Sequence, residues 1–126
     1  MISDGQKTFA LLENRGVVSL RGDDARRFLQ GLVTNDVERV SEENAIWAAL
    51  LTPQGKYLFD FFIVEMMGAL VLDCEGARVD ELMSLLKRYK LRSKVDISDD
   101  SADWVVVALA GTDATAAWES DIGPLP

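Results

Sequence analysis

Residues 45–65 read AIWAALL, TPQG and KYLFDFFIVE in succession, and this stretch decides the fold. Two apolar or aromatic runs flank a four-residue turn in which Pro53 and Gly55 take the second and fourth positions, as a type I turn prefers. The pattern predicts an antiparallel hairpin. A second turn at residues 66–69 leads to a predicted strand at Leu70–Cys74, so the three strands should form a meander.

One helix is predicted before this meander in the sequence and one after it. Apolar residues at helical spacing indicate a first helix over about residues 24–33, with Asp23 or Asp24 placed to cap it. A second helix begins at Val79, where the apolar period is again helical, with acidic residues in its first turn and basic residues in its last. Alternating or continuous apolar runs predict further strands at 16–20, 91–97 and 104–109.

The order of these elements defines the fold class. Strands and helices follow each other without a regular βαβ rhythm, so we expect an α+β fold with a largely antiparallel sheet and helices packed on one face. The chain has 126 residues, enough for one domain with its own core. Weak periodicity in the last residues, 111–126, indicates an acidic tail that starts a longer segment.

Composition excludes several kinds of chemistry. The chain has no histidine and one cysteine, so an intramolecular disulfide, a Cys/His zinc site and a histidine-based catalytic triad are all excluded, and we expect no metal site. The net charge is −8, and residues 95–126 hold seven acids and no base. Such an acidic surface disfavours nucleic acid and anionic membranes as partners. Residues 1–9 lack the apolar core of a signal peptide, which predicts a cytoplasmic protein.

One basic cluster stands against the acidic background, and it consists of Lys87, Arg88, Lys90, Arg92 and Lys94. The simpler interpretation is a solvated helix end and edge strand, where basic residues are common. The alternative is an anion site.

Asp60 is the residue that the strand pattern does not explain. Alternation in residues 56–65 puts Asp60 on a face with Leu58, Phe62 and Val64, and the opposite face is apolar too. Burying an unpaired carboxylate is costly, so Asp60 must be paired or must face a cavity where a ligand or water satisfies it. The residues alone leave a structural and a ligand-binding role open.

Two other residue types have simpler interpretations. Trp47, Trp104 and Trp118 each indicate core or interface positions rather than stacking platforms. Cys74 lies in a predicted strand with no base beside it in the sequence, which indicates an inert thiol.

Three stretches of the sequence nevertheless resemble a known family. Residues 22–37 fit the pattern G-x-D-A-x-x-F-L-Q-x-x-x-T-N-D-V of folate-binding proteins related to the glycine-cleavage T-protein. Residues 50–60 are similar to that superfamily's L-L-N-x-x-G-G-x-x-D-D segment, and residues 89–95 resemble the matching segment of its YgfZ branch. The resemblance spans residues 11–110.

The resemblance implies a fold, a cofactor and site residues. It implies that residues 1–110 form the N-terminal folate-binding domain of a T-protein or YgfZ-like protein of about twice this length, with tetrahydrofolate in a central channel. By position, Asp60 matches the second Asp of the acidic pair beside the folate, and Trp47 matches an aromatic residue that lines the pterin site. Arg92 and Lys94, from the basic cluster, are expected to bind the glutamate tail of folate.

Departures from the T-protein pattern bear on activity. Phe59 replaces the first Asp of the acidic pair, and Leu11 and Asn14 replace the Asp and His of the D-V-S-H motif. The losses disfavour aminomethyl transfer and favour the YgfZ branch, whose members resemble T-protein but support iron-sulfur cluster assembly or repair, which implies iron-sulfur client proteins as partners. The later K-G-C-x-x-G-Q-E motif of that branch does not occur in these 126 residues.

The sequence therefore leads to one expected function with two alternatives. We expect a folate-binding protein that assists iron-sulfur cluster assembly or repair. The enzyme alternative is a tetrahydrofolate-dependent aminomethyltransferase, and the third possibility is an interaction module without a ligand of its own. Whether the chain belongs to an enzyme is left open at this point.

Overall fold

The computed structural model describes the backbone of residues 2–4 and 7–110. These residues form eight strands and two helices, apart from short 3-10 turns: β1 Ile2–Asp4, β2 Lys7–Leu11, β3 Arg15–Arg21, α1 Ala25–Gln30, β4 Ile46–Leu51, β5 Tyr57–Met66, β6 Ala69–Glu75, α2 Val79–Lys90, β7 Asp96–Asp99 and β8 Val107–Ala110. The acidic tail expected at residues 111–126 lies outside the described residues.

The strands belong to two separate antiparallel sheets. β1, β2 and β8 form a three-stranded sheet, in which Phe9 lies opposite Leu109. The other five strands form a sheet in the order β4-β5-β6-β3-β7, within a compact unit of residues 14–104. The candidate site lies in this second unit.

The predicted meander is present. The Gly55 amide donates to the Thr52 carbonyl at 2.9 Å and closes the first turn, and β4 and β5 pair in antiparallel register on either side of it. The second turn has positive φ at both central residues, 52° at Met67 and 78° at Gly68. This is the backbone geometry of a two-residue hairpin turn whose twist suits the flanking strands.

Both helices pack on one face of the five-stranded sheet, which confirms the predicted α+β class. α2 buries Val79, Leu82, Leu85 and Leu86, and α1 buries Ala25, Phe28 and Leu29. These side chains form one core with the strand residues of the same sheet face, among them Val18, Leu20, Phe61, Ile63 and Leu72. The two helices of the described residues do not cover the opposite face, and it is the face that carries Asp60.

Asp24 precedes α1 but does not cap it as predicted. Its carboxylate instead accepts the backbone N–H of Lys94 at 2.8 Å and the guanidinium of Arg27 at 2.6 Å. These contacts, first the Lys94 amide and then Arg27, hold the pKa of Asp24 below its usual value. The residue thus joins the start of α1 to the segment before β7.

Two strand predictions need correction. Residues 91–95 are not a strand, because α2 extends to Lys90 and Leu91 then turns the chain at a φ of 47°. The alternation that suggested a strand there comes from a turn followed by β7, which starts only at Asp96. β8 likewise starts at Val107 rather than 104, and residues 107–109 are not buried. β1 and β2 were not predicted, since their residues show no strong apolar pattern.

None of the helices in the described part of the chain is long and apolar enough to cross a membrane.

Candidate functional site

The strand register brings two of the predicted site residues to the same place. Trp47 on β4 lies directly opposite Phe62 on β5, and Ala49 lies opposite Asp60. Asp60 is therefore the diagonal neighbour of Trp47, at the distance of about 7–8 Å that separates such positions in an antiparallel pair. We call Trp47, Phe62 and Asp60 the aromatic-carboxylate patch.

The patch is open to solvent, unlike the other face of the same strands. Trp47 is 52% exposed and Phe62 is 48% exposed, and Asp60 is half-buried. On the helix-covered face Ala48, Phe61 and Ile63 are at most 1% exposed. Trp47 is thus not a core residue of this unit, and of the two positions expected for it, core or interface, the interface stays a prediction.

Asp60 makes no ion pair or hydrogen bond through its side chain within the described part of the chain, whereas its charged neighbours are engaged elsewhere. Asp73, directly opposite Phe62 on β6, accepts the Arg15 Nε–H at 2.8 Å. The guanidinium of Arg78 lies 4.1 Å from the centre of the Phe59 ring and also contacts Glu81 at 3.2 Å. Neither arginine forms an ion pair with Asp60, so its carboxylate has no cationic partner among the described residues.

The cavity that touches Asp60 is small. It has a volume of about 10 Å³ and is lined in part by Tyr57, Glu75 and Arg78. That space holds about one water molecule. A larger ligand would therefore meet Asp60 from the side on which Trp47 and Phe62 are exposed.

Arg92 and Lys94 lie at a different corner of the sheet. Asp96 follows them in the chain and pairs with Arg21, at the end of β3. Val17 lies near the other end of β3 and is level with Phe62, because both pair with Asp73. From Asp60 this is three strand spacings across and about six residues along, or about 24 Å at ordinary strand dimensions. The fold brings Trp47 and Asp60 together, and it does not bring Arg92 and Lys94 to the same patch.

Cys74 lies in the core. It is 3% exposed and its Sγ lies 3.6 Å from the carbonyl oxygen of Gly16. Burial raises the pKa of this thiol to about 11, so it is protonated at neutral pH. A protonated thiol is a poor nucleophile and a poor metal ligand, in agreement with its interpretation as inert.

Phe62 is the patch residue that sequence reasoning did not single out. Alternation alone already put it on the face of Asp60, so that signal was available. Its partner across the hairpin could not be predicted, because the pairing of Phe62 with Trp47 depends on a register shift between Leu50 and Leu51. A bulge of this kind is not visible in the residue pattern.

Comparison with solved structures defines the class of fold. The chain superposes on the glycine cleavage system aminomethyltransferase T from Bartonella henselae with a TM-score of 0.79 and 16% sequence identity. The alignment covers 96% of this chain and 33% of the Bartonella protein. The structure thus has the fold found in one part of an aminomethyltransferase T, as the sequence resemblance implied.

Sequence comparison then places the chain in a family. Residues 12–120 match the GCVT N-terminal domain, and the chain belongs to this family. It is 34% identical over 125 residues to a protein of Mycosarcoma maydis named as a mitochondrial homolog of the iron-sulfur cluster assembly factor IBA57, a match that covers 89% of this chain. It is 30% identical over 103 residues to an aminomethyltransferase of Rubrobacter xylanophilus, with 82% of this chain covered.

The chain spans less than a third of these relatives, 29% of the Mycosarcoma protein and 28% of the Rubrobacter protein. The names of the relatives that are assembly factors include the word mitochondrial. The cytoplasmic location expected from the sequence therefore stays a prediction.

Proposed function

We propose that the full-length protein supports the assembly or repair of iron-sulfur clusters, and that it binds a reduced folate at the aromatic-carboxylate patch. We also place it in the YgfZ branch of the superfamily. The observation that carries the folate proposal is a carboxylate with no partner among the described residues, beside two half-exposed aromatic rings on the sheet face opposite the helices.

The composition of the patch suits the pterin end of tetrahydrofolate. A flat heterocycle can stack on Trp47 or Phe62, and the N–H groups at its edge can donate to the Asp60 carboxylate. A bound folate supplies both this flat face and these donors. In this proposal Asp60 orients the ring through charge-assisted hydrogen bonds, while the two aromatic side chains exclude water from one side.

The relatives support the cluster-assembly role. Several are named iron-sulfur cluster assembly factors, at up to 36% identity. Phe59 also occupies the position where T-proteins have the first Asp of their acidic pair. Its side chain is 6% exposed and is covered by Arg78. Phe59 therefore belongs to the core face and supplies no second carboxylate to the patch.

Gene deletion in the organism of origin tests the assembly role. We expect the activities of iron-sulfur enzymes to fall while their protein levels and the activities of enzymes without clusters are maintained. The full-length gene should restore the lost activities, and it should encode a K-G-C-x-x-G-Q-E motif downstream of residue 126. Normal iron-sulfur enzymes together with a loss of glycine cleavage would favour the aminomethyltransferase alternative.

Arg92 and Lys94 are proposed to contact the glutamate tail of the same ligand. Asp96, which follows them in the chain, already lies about 24 Å from Asp60 by strand geometry, so only a folate with several glutamates can reach both places. We expect Arg92→Ala to weaken binding of a polyglutamylated tetrahydrofolate by roughly three- to tenfold, the loss of one exposed charge-assisted contact. Calorimetry on the full-length protein measures this.

The monoglutamyl form is the internal control for Arg92→Ala, because it should bind the variant and the wild type equally. If the polyglutamyl form also bound the variant and the wild type equally, the basic cluster would be a solvated helix end without a role in binding.

We further propose that residues 1–110 form the folate-binding domain and that 111–126 begin a further segment.

A further inference from the structure

The T-N-D-V stretch that carries the family resemblance does not contribute to the patch directly. It lies instead along the outer edge of β4, the edge strand that holds Trp47. An uncovered edge strand exposes a row of unpaired backbone groups and is free to shift or to pair with other chains. The contacts of this stretch show how the edge is covered.

Residues 34 and 35 satisfy the outward-facing backbone groups of β4 one after another. The Thr34 amide donates to the Ala49 carbonyl at 3.0 Å, and the Ala49 amide donates to the Thr34 hydroxyl oxygen at 3.0 Å. The Asn35 side-chain amide then donates to the Trp47 carbonyl at 2.9 Å. Val33 completes the edge through an isolated bridge to Leu50.

Side chains on either side hold these two residues in place. The Gln30 side chain donates to the Asn35 carbonyl at 2.9 Å and accepts the Val37 amide at 2.7 Å. The Asn35 side-chain oxygen accepts the Asp36 amide at 2.7 Å. Arg26 of α1 donates to the Val37 carbonyl at 2.9 Å. Residues 30–38 are therefore a hydrogen-bonded unit, which we call the edge latch, anchored on α1.

We propose that the edge latch positions the binding patch, with Thr34 and Asn35 as positioning residues that fix β4 and so set the place of Trp47 beside Asp60. In the described part of the chain, neither residue makes a hydrogen bond to a side chain of the patch. Asn35 acts through the backbone of Trp47, and Thr34 acts two residues further along the same strand. The effect on ligand binding rests on the proposed folate function, whereas the effect on β4 does not.

Two nearly isosteric variants of the full-length protein test the latch. Thr34→Val removes the acceptor of the Ala49 amide, and we expect hydrogen exchange of that amide to accelerate at least tenfold, while Thr34→Ser should keep it slow. Asn35→Asp removes the donor to the Trp47 carbonyl. We expect it to shift the fluorine resonance of Trp47 in 5-fluorotryptophan-labelled protein, assigned by its loss in Trp47→Phe.

Ser101→Ala is the matched control. The Ser101 hydroxyl accepts the Val17 amide at 2.9 Å on β3, so its loss frees one backbone donor just as Thr34→Val does, but away from β4. We expect it to leave the Trp47 resonance and the tetrahydrofolate affinity unchanged, while Asn35→Asp lowers that affinity at least fivefold.

The outcomes separate the two proposals. Unchanged exchange at Ala49 and an unchanged Trp47 resonance in the latch variants would overturn the latch. Equal losses of folate affinity in Asn35→Asp and Ser101→Ala would overturn its positioning role and leave only a general effect on stability. A wild-type protein that binds no tetrahydrofolate would refute the proposed ligand. Hydrogen exchange of the Ala49 amide and the fluorine resonance of Trp47 would still show whether the edge latch fixes β4.

Discussion

Asp60→Asn is expected to weaken tetrahydrofolate binding by about 10- to 100-fold in the full-length protein. The substitution keeps the shape of the side chain and removes its charge. A hydrogen bond to a charged group contributes about 1.5–3 kcal/mol, and each 1.4 kcal/mol corresponds to about one factor of ten in affinity. The fold should be unaffected, because Asp60 has no partner within the described residues that depends on its charge. Titration calorimetry under anaerobic conditions gives the affinity.

Asp96→Asn provides the control for this measurement. Asp96 lies on the same face of the sheet, since it pairs with Arg21 on β3, but at the corner farthest from Asp60. It undergoes the same chemical change and loses the same net charge. If both variants weakened binding equally, a general electrostatic effect would explain the result. If Asp60→Asn bound as tightly as the wild type, the carboxylate would have no role in the site.

Gly22→Ala is expected to destabilise the protein by about 3 kcal/mol or more. Gly22 has a φ of 124°, and a Cβ at this position would lie 2.3 Å from the carbonyl oxygen of Lys94. That oxygen belongs to the backbone and accepts the Asp24 amide at 3.1 Å, so it cannot move away without breaking a contact between α1 and the segment before β7. Backbone strain and steric overlap therefore add together. Urea denaturation followed by circular dichroism measures the loss.

Gly68→Ala separates the two terms. Gly68 also has a positive φ, 78°, but a Cβ there would have no neighbour within 4 Å. We expect a loss of only about 1 kcal/mol, the cost of a non-glycine residue in a left-handed turn. Similar losses at both glycines would mean that the close approach of Lys94 to Gly22 contributes nothing.

The sequence was informative where contacts are local. The meander followed from alternation and turn residues, and α2 followed from its apolar stripe, because each pattern reflects interactions within about ten residues. The placement of Asp60 on one face of β5 followed from the same alternation. The position of Trp47 next to it came only from the family resemblance, and the structure supplies its physical basis in the register of β4 and β5.

The remaining features depend on distant parts of the chain. β3 lies between β6 and β7 although it precedes both by many residues, and no local pattern indicates that order. The start of β7 was predicted too early, at Leu91, because the alternation there runs through a turn before the strand begins at Asp96. The prediction of Asp23 or Asp24 as the cap of α1 rested on local position and missed the partner of Asp24, the Lys94 amide, which lies 70 residues away. Thr34 and Asn35 matched a motif, yet the sequence held no clue that they cover a strand edge.

The pairing of β2 with β8 has a consequence for the order of folding. Leu11 lies opposite Val107, so this sheet joins two segments separated by nearly the whole described chain. Closing a flexible loop of that length costs about 4 kcal/mol in chain entropy by the logarithmic relation, beyond a constant. The antiparallel pairs of residues 14–104 close shorter loops. During synthesis this unit has all its strands before β8 leaves the ribosome, so β2 must wait for its partner until the larger sheet can already have formed.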